Sequence, residues 1–132
     1  MPLRSLIVDD CQSFLEAARV LLEREGLTVA GVASTSAEAR WQVAMVRPDI
    51  VLVDISLGEE SGVDLARQLL EGDLAPEAAV ILISTRDEED VAELIAESPA
   101  AGFLPKAKLS ASAIRRIVDA HSRERASGRR ET

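Results

Sequence analysis

Aromatic side chains and cysteine are nearly absent from this sequence. It has one cysteine, no tyrosine, two phenylalanines and one tryptophan. The lone thiol of Cys11 can close no internal disulfide and builds no multi-cysteine zinc site. With Phe14, Trp41 and Phe103 as the only aromatics, the core has to be made of Val, Ile, Leu and Ala. Long apolar runs are missing too, so no transmembrane segment and no membrane partner are expected. The first apolar run, Leu6-Ile7-Val8, stops at Asp9 and Asp10, too soon for a signal peptide. A reducing, cytoplasmic setting is therefore expected. Positive charge is also short: 15 Lys and Arg against 23 Asp and Glu give a net charge of −8 and a pI of about 4.7. Nucleic-acid binders carry basic patches, so direct nucleic-acid contact by this domain is not expected. The exception is the arginine-rich end, where Arg115, Arg116, Arg123, Arg125, Arg129 and Arg130 read as a solvated helix face and a frayed tail.

The 132 residues suit one domain with a real core. Five short apolar runs are present: Leu3 to Val8, Thr28 to Ala33, Ile50 to Ile55, Val80 to Ser84 and Gly102 to Leu104. Continuous runs such as Ile50 to Val53 suit strands buried on both faces of a parallel sheet. Helical stripes alternate with them: Phe14, Ala17, Ala18 and Leu21; Ala39, Val43 and Val46; Val63, Ala66 and Leu70; Val91, Leu94 and Ile95; Ile114, Ile117, Val118 and His121. Thr35 with Glu38 reads as a capping box, and Ser110 or Ser112 as the cap of the last helix. Trp41 falls off its stripe and is expected partly exposed. The pattern is a (βα)5 α/β fold with a doubly wound, flavodoxin-like five-stranded parallel sheet, expected in the order 2-1-3-4-5. Residues 1–122 form the expected domain, and 123–132 a basic tail or the start of a linker.

In such sheets, ligands bind beyond the carboxyl ends of the strands. Asp9 and Asp10 end the first run, Asp54 the third and Ser84 and Thr85 the fourth; Lys106 follows the fifth. Three carboxylates brought together repel one another's charge. A hard divalent cation relieves this, and Mg²⁺ favours carboxylate, water and phosphate oxygens; Mn²⁺ is an alternative. Lys106 supplies a point charge for a phosphate, Ser84 a hydroxyl donor, and Asp54 a nucleophile able to form an acyl phosphate. Taken alone, Ser84 would be a helix cap, with Asp87 three residues on. Phe103 would be a half-buried packing residue and His121 a packing or surface residue. Cys11 would be kept from ionising by its acidic neighbours.

The stretches "LIVDD", "IVLVDISLGEESG", "VILIST" and "FLPKAKLS" resemble, together and in order, the CheY-like receiver domain of two-component response regulators. "FLPKAKLS" is similar to receivers of the LuxR/NarL type. The resemblance implies that Asp54 is the phosphoacceptor, served by a histidine kinase. It implies Asp10 as direct Mg²⁺ ligand, Asp9 acting through water, and the backbone carbonyl of Ser56 completing the set. Ser84 and Phe103 would be the switch pair, Lys106 the phosphoryl-binding lysine and Gly62 the loop glycine. The implied output is a partner protein, a fused effector domain or a phosphorylation-dependent homodimer, without enzymatic turnover beyond slow self-catalysed phosphotransfer and dephosphorylation.

Four departures stand out. Thr85 is bulkier than the residue usual after the switch hydroxyl and would restrict phosphoryl access. Gly58 stands where Pro is common, freeing the loop. Ala107 rather than Pro follows Lys106, which leaves the isomer of that bond open. Phe103 lacks a hydroxyl. The competing readings are a Mg²⁺-dependent aspartyl phosphohydrolase, a flavin carrier, a degenerate receiver that binds partners without phosphorylation, and the N-terminal part of a LuxR-type transcription regulator. The first wants an Asp where Ser56 stands, and the second a phosphate loop free of the two aspartates.

Overall fold

A computed structural model describes residues 3–72, 74 and 77–130, the last six of these by backbone alone. Strands β1 (Arg4–Val8), β2 (Thr28–Ala33), β3 (Ile50–Asp54), β4 (Ala79–Ser84) and β5 (Gly102–Pro105) form one parallel sheet in the order β2-β1-β3-β4-β5. Helices α1 (Gln12–Arg24), α2 (Ser36–Val46), α3 (Gly62–Glu71), α4 (Ala92–Glu97) and α5 (Ala111–Arg130) alternate with the strands. α5 runs through the boundary expected at residue 122.

Side chains alternate between the faces of a strand, and here that alternation builds two cores. Leu6, Val8, Val51, Val53, Val80 and Leu82 pack with residues of α2 and α3. Ile7, Ile50, Leu52, Ile81 and Ile83 pack with residues of α1 and α5. Both faces of β3 are thus buried, which explains its unbroken apolar run. Ser5 is the one polar side chain buried inside a strand run before its last residue, and its hydroxyl donates to the Thr28 carbonyl at 2.9 Å, beside an irregularity in the β1–β2 register.

The helix faces differ from the sequence stripes in detail. α1 buries Leu15, Ala18 and Leu22, leaving Ala17 exposed and Phe14 half-buried, so the inward face is turned by about one residue. α2 buries Ser36, Ala39 and Val43 and exposes Trp41. The Thr35 hydroxyl accepts from the Glu38 amide, but the Glu38 carboxylate reaches the Ser34 amide instead of closing the box on Thr35. The fourth helical segment begins as a 3-10 turn, Glu88–Val91. Its α-helical part has six residues, Val91 is its only buried side chain, and Leu94 is exposed. Ser110 caps α5 by accepting from the Ala113 amide.

The loop after β3 is a tight hairpin rather than a free segment. Ser56–Leu57 pairs antiparallel with Glu60–Ser61. Gly58 turns this hairpin at a φ of +60°. Proline is fixed near −65°, so a proline-bearing loop could not follow this path. Glu60 then accepts from the Ser36 amide at 3.0 Å, tying the hairpin to the first turn of α2. Gly62 opens α3 with its amide on the Ile55 carbonyl at 2.8 Å, and a Cβ there would lie 1.8 Å from the Asp54 carbonyl oxygen. Gly62→Ala is therefore expected to displace the backbone of Asp54 and destabilise the protein by ~1–3 kcal/mol, the range for overpacking. Urea unfolding with unchanged stability would refute this close approach.

Candidate functional site

The strand ends gather the polar residues at one edge of the sheet. Asp9 follows β1 and is fully buried, with its amide donating to the Ala33 carbonyl at 3.0 Å. Asp10 comes next and is exposed. Asp54 ends β3 and is 7% exposed. One carboxylate oxygen from each of the three lies within 4.8 Å of the others, the one such acidic cluster found among the described residues. The set consists only of hard oxygen donors, with one carboxylate open to water, and so fits a small divalent cation.

The two buried carboxylates are each held by a backbone amide. The Cys11 amide donates to Asp9 Oδ1 at 2.8 Å, and the Ser56 amide to Asp54 Oδ1 at 3.1 Å. The remaining oxygens share one cation. Lys106 Nζ lies 2.5 Å from Asp9 Oδ2 and 3.1 Å from Asp54 Oδ2. It also sits 4.3 Å from the centre of the Phe14 ring, within the reach of a cation–π contact. Lys106 opens a 3-10 turn after β5, and its peptide bond to Ala107 is trans.

The charges do not balance. Burial pushes the Asp54 carboxyl above its ordinary value, and Asp9 pushes it the same way; the Ser56 amide and Lys106 oppose this without cancelling it. Burial works against the Lys106 ammonium, but the hydrogen bonds and charges of Asp9 and Asp54 outweigh it and raise its pKa. The Asp54 shift is thus chiefly one of burial, with Asp9 adding to it, and the Lys106 shift is the work of its two anionic partners.

The other predicted site residues are Ser84, Thr85 and Phe103. β3–β4 pairing sets Asp54 opposite Ile83, one residue before Ser84. Ser84 is buried, and its hydroxyl accepts from the Arg86 amide at 3.0 Å. It caps no helix, because the next turn starts only at Glu88. Its own proton is left to donate elsewhere. Thr85 is exposed. Phe103 is buried rather than half-buried, among the apolar residues packed on the α2 and α3 side of the sheet. His121 is half-buried with Nε2 enclosed and without a hydrogen-bond partner among the described residues, as a packing residue would be.

Cys11 corrects an expectation. It is exposed at the N-cap of α1, and its thiol is shifted down, first by the Ser13 hydroxyl at 3.3 Å and then by the Phe14 amide. Asp9 pushes the other way but more weakly; its carboxylate is already engaged with Lys106. Phe14 was missed as a site residue, because it touches the site only through Lys106, remote in the chain, and stood in an apolar helix stripe. Glu60 lies within the stretch that carries Asp54, and its tether to the Ser36 amide was not foreseen.

The family model described as "Response regulator receiver domain" matches residues 5–119. The chain belongs to the response regulator receiver family. This receiver is 29% identical over 103 residues to the chemotaxis protein CheY of Thermotoga maritima, covering 78% of this chain and 84% of that protein. It is 28% identical over 105 residues to the response regulator GacA of Pseudomonas viridiflava, covering 79% of this chain and 48% of GacA. The solved signal receiver domain of the putative response regulator NarL from Mycobacterium tuberculosis superposes with a TM-score of 0.76 at 26% identity, covering 90% of this chain and 95% of that one. The receiver spans only 27% and 48% of the length of other curated relatives that it matches. Among the described residues, no helix is long and apolar enough to cross a membrane.

The raised carboxyl pKa carries a pH signature. A folded-state value above the ordinary one means that ionised Asp54 costs the fold stability at neutral pH. That cost is full above the folded pKa and vanishes as pH falls through it towards the ordinary carboxylate value. Without divalent metal, Asp54→Asn is expected to be more stable than the parent at pH 7.5, with the gap closing towards pH 4. Thermal unfolding across that range would show no such pH-dependent gap if Lys106 fully compensated Asp54.

Proposed function

We propose that Asp54 is the phosphoacceptor of this receiver and that a sensor histidine kinase is the physiological donor. The observation that carries this reading is the ammonium of Lys106, seated against Asp9 and Asp54 in a hollow of three carboxylates. A carboxylate oxygen of Asp54 attacks the phosphorus of the donor, the bond to the donor's leaving nitrogen breaks, and an aspartyl phosphate remains. The transferring group carries its charge on its outer oxygens, so positioning and neutralisation account for most of the catalysis. Lys106 is placed to take one of these oxygens, and the free proton of Ser84 another. Ser56, through its amide on Oδ1, fixes the orientation of the acceptor.

Asp10 and Asp54 directly, Asp9 through water, and the Ser56 carbonyl would hold Mg²⁺, or Mn²⁺ in its place. When bound, that ion supplies the positive charge the three carboxylates lack. Phosphorylation then draws the Ser84 hydroxyl inward, and Phe103 repacks between two arrangements. The surface formed by α4, β5 and α5 changes its affinity for a downstream protein, a fused effector domain or a second copy. The chain acts as a switch rather than as an enzyme, in the cytoplasm, with residues 1–122 as the unit that switches and 123–132 as a basic tail or the start of a linker. Thr85, exposed next to Ser84, sets access to the acceptor.

Incubation with acetyl phosphate and Mg²⁺ is expected to add one phosphoryl group, seen by intact-mass spectrometry, to the parent and none to Asp54→Asn. Lys106→Ala should slow labelling by about 10²–10³-fold, the usual loss for a removed charge-stabilising donor. Labelling that survives Asp54→Asn would end this reading. In a separate measurement, Mg²⁺ at about 100 times its dissociation constant should stabilise the parent by about 2.7 kcal/mol and leave Asp10→Asn unchanged. Equal stabilisation of both proteins would remove Asp10 from the ligand set.

A further inference from the structure

We propose that Phe14 is a positioning residue for Lys106, a neutral seat that keeps the ammonium at the acceptor while its anionic partners change. The inference rests on the phosphoacceptor reading above.

Among the described residues, the ammonium has three polar or ring partners. Two are carboxylate oxygens, of Asp9 at 2.5 Å and of Asp54 at 3.1 Å, and the third is the face of the Phe14 ring, 4.3 Å from its centre. The side chain of Lys106 is only 12% exposed, so water competes weakly for the ammonium. Phe14 also packs against the core formed with α1 and α5.

The two kinds of contact behave differently during the reaction. Asp9 and Asp54 belong to the hard-oxygen cluster, so their charge is claimed by whatever cation occupies it. Once the donor's phosphorus is bonded to a carboxylate oxygen of Asp54, the negative charge moves outward onto the oxygens of the new group. Both carboxylate contacts of the ammonium therefore weaken as the site fills. The ring has no charge to be claimed, and its quadrupole attracts the ammonium in every state. A lysine freed from its partners regains some of the largest rotamer entropy of any side chain. The ring limits that loss of order, so Lys106 can exchange a carboxylate for a phosphoryl oxygen without first leaving for solvent.

A purely packing role for Phe14 makes a different prediction. Any apolar side chain of similar reach would then serve, and effects on phosphorylation would follow effects on stability. The full chain is compared as parent, Phe14→Leu and Phe14→Tyr. Leucine keeps an apolar side chain without the quadrupole, and tyrosine keeps the ring. In metal-free protein, the Lys106 ε-methylene protons are expected at ring-current-shifted, upfield NMR positions in the parent and in Phe14→Tyr. They should return to ordinary lysine positions in Phe14→Leu. Labelling by acetyl phosphate at saturating Mg²⁺ should slow about five-fold in Phe14→Leu, the factor that ~1 kcal/mol of cation–π attraction carries. Phe14→Tyr should restore it, whatever the unfolding midpoints of the two variants.

Ordinary Lys106 shifts in the parent would overturn the seat without any variant having to fold. Parental labelling rates in a folded Phe14→Leu protein would overturn the positioning role alone. Failure of the parent itself to be labelled would instead overturn the phosphoacceptor reading, and the role with it.

Discussion

One ammonium is shared between two buried or nearly buried carboxylates, and the site is organised around that imbalance. Lys106 lies within ion-pair distance of Asp9 and of Asp54, while Asp10 adds a third carboxylate at the rim. A single positive charge cannot neutralise this set. The carboxyl of Asp54 is accordingly raised by burial, and the ammonium is raised by its two anions. Such an arrangement costs the apo protein stability and leaves a place for a further positive charge. Strain of this kind is characteristic of groups arranged for chemistry rather than for folding.

The fold tolerates that cost because its apolar parts are so regular. Alternation along β1, β3 and β4 sends one set of side chains to each of two cores, so the strands are anchored on both faces. Apart from Arg4 and Ser5 at the start of β1, polar residues in these strands come only at their carboxyl ends. Asp9, Asp54 and Ser84 all lie at the same edge for this reason, with a parallel sheet bringing the ends together. Gly62 permits the next helix to start directly over the Asp54 carbonyl, and the hairpin of Ser56–Leu57 with Glu60–Ser61 closes the loop between them. Asp54 is thereby set at the start of a closed backbone loop, and its Oδ1 accepts from the amide of Ser56.

Helix faces were harder to read than strands. The stripe Phe14, Ala17, Ala18 and Leu21 was one residue out of phase with the buried set Leu15, Ala18 and Leu22. Alanine and leucine occur on both sides of that helix, so periodicity alone leaves the phase loose. The stripe Val91, Leu94 and Ile95 failed for another reason. A helix of six residues, entered through a 3-10 turn, has too few turns to present a continuous inward face. Phe103 proved more buried than the half-buried packing residue expected, because its strand packs against the 3-10 turn before α4 and its side chain joins the core cluster on that face.

The order of apolar runs and helical stripes, read without coordinates, determined the class of fold and the sheet order. It also determined the strand-end placement of Asp9, Asp10, Asp54, Ser84 and Lys106, since each follows directly from where hydrophobicity stops. What only the tertiary structure decided is how these groups share their charges. The seat of the Lys106 ammonium between Asp9, Asp54 and the Phe14 ring, the downward shift at Cys11 and the tether from Glu60 to Ser36 all depend on distances between residues remote in the chain or on local backbone geometry. A pattern of residue types records which side chains face the same edge. It does not record which oxygen meets which nitrogen, because that is set by the packing of whole elements.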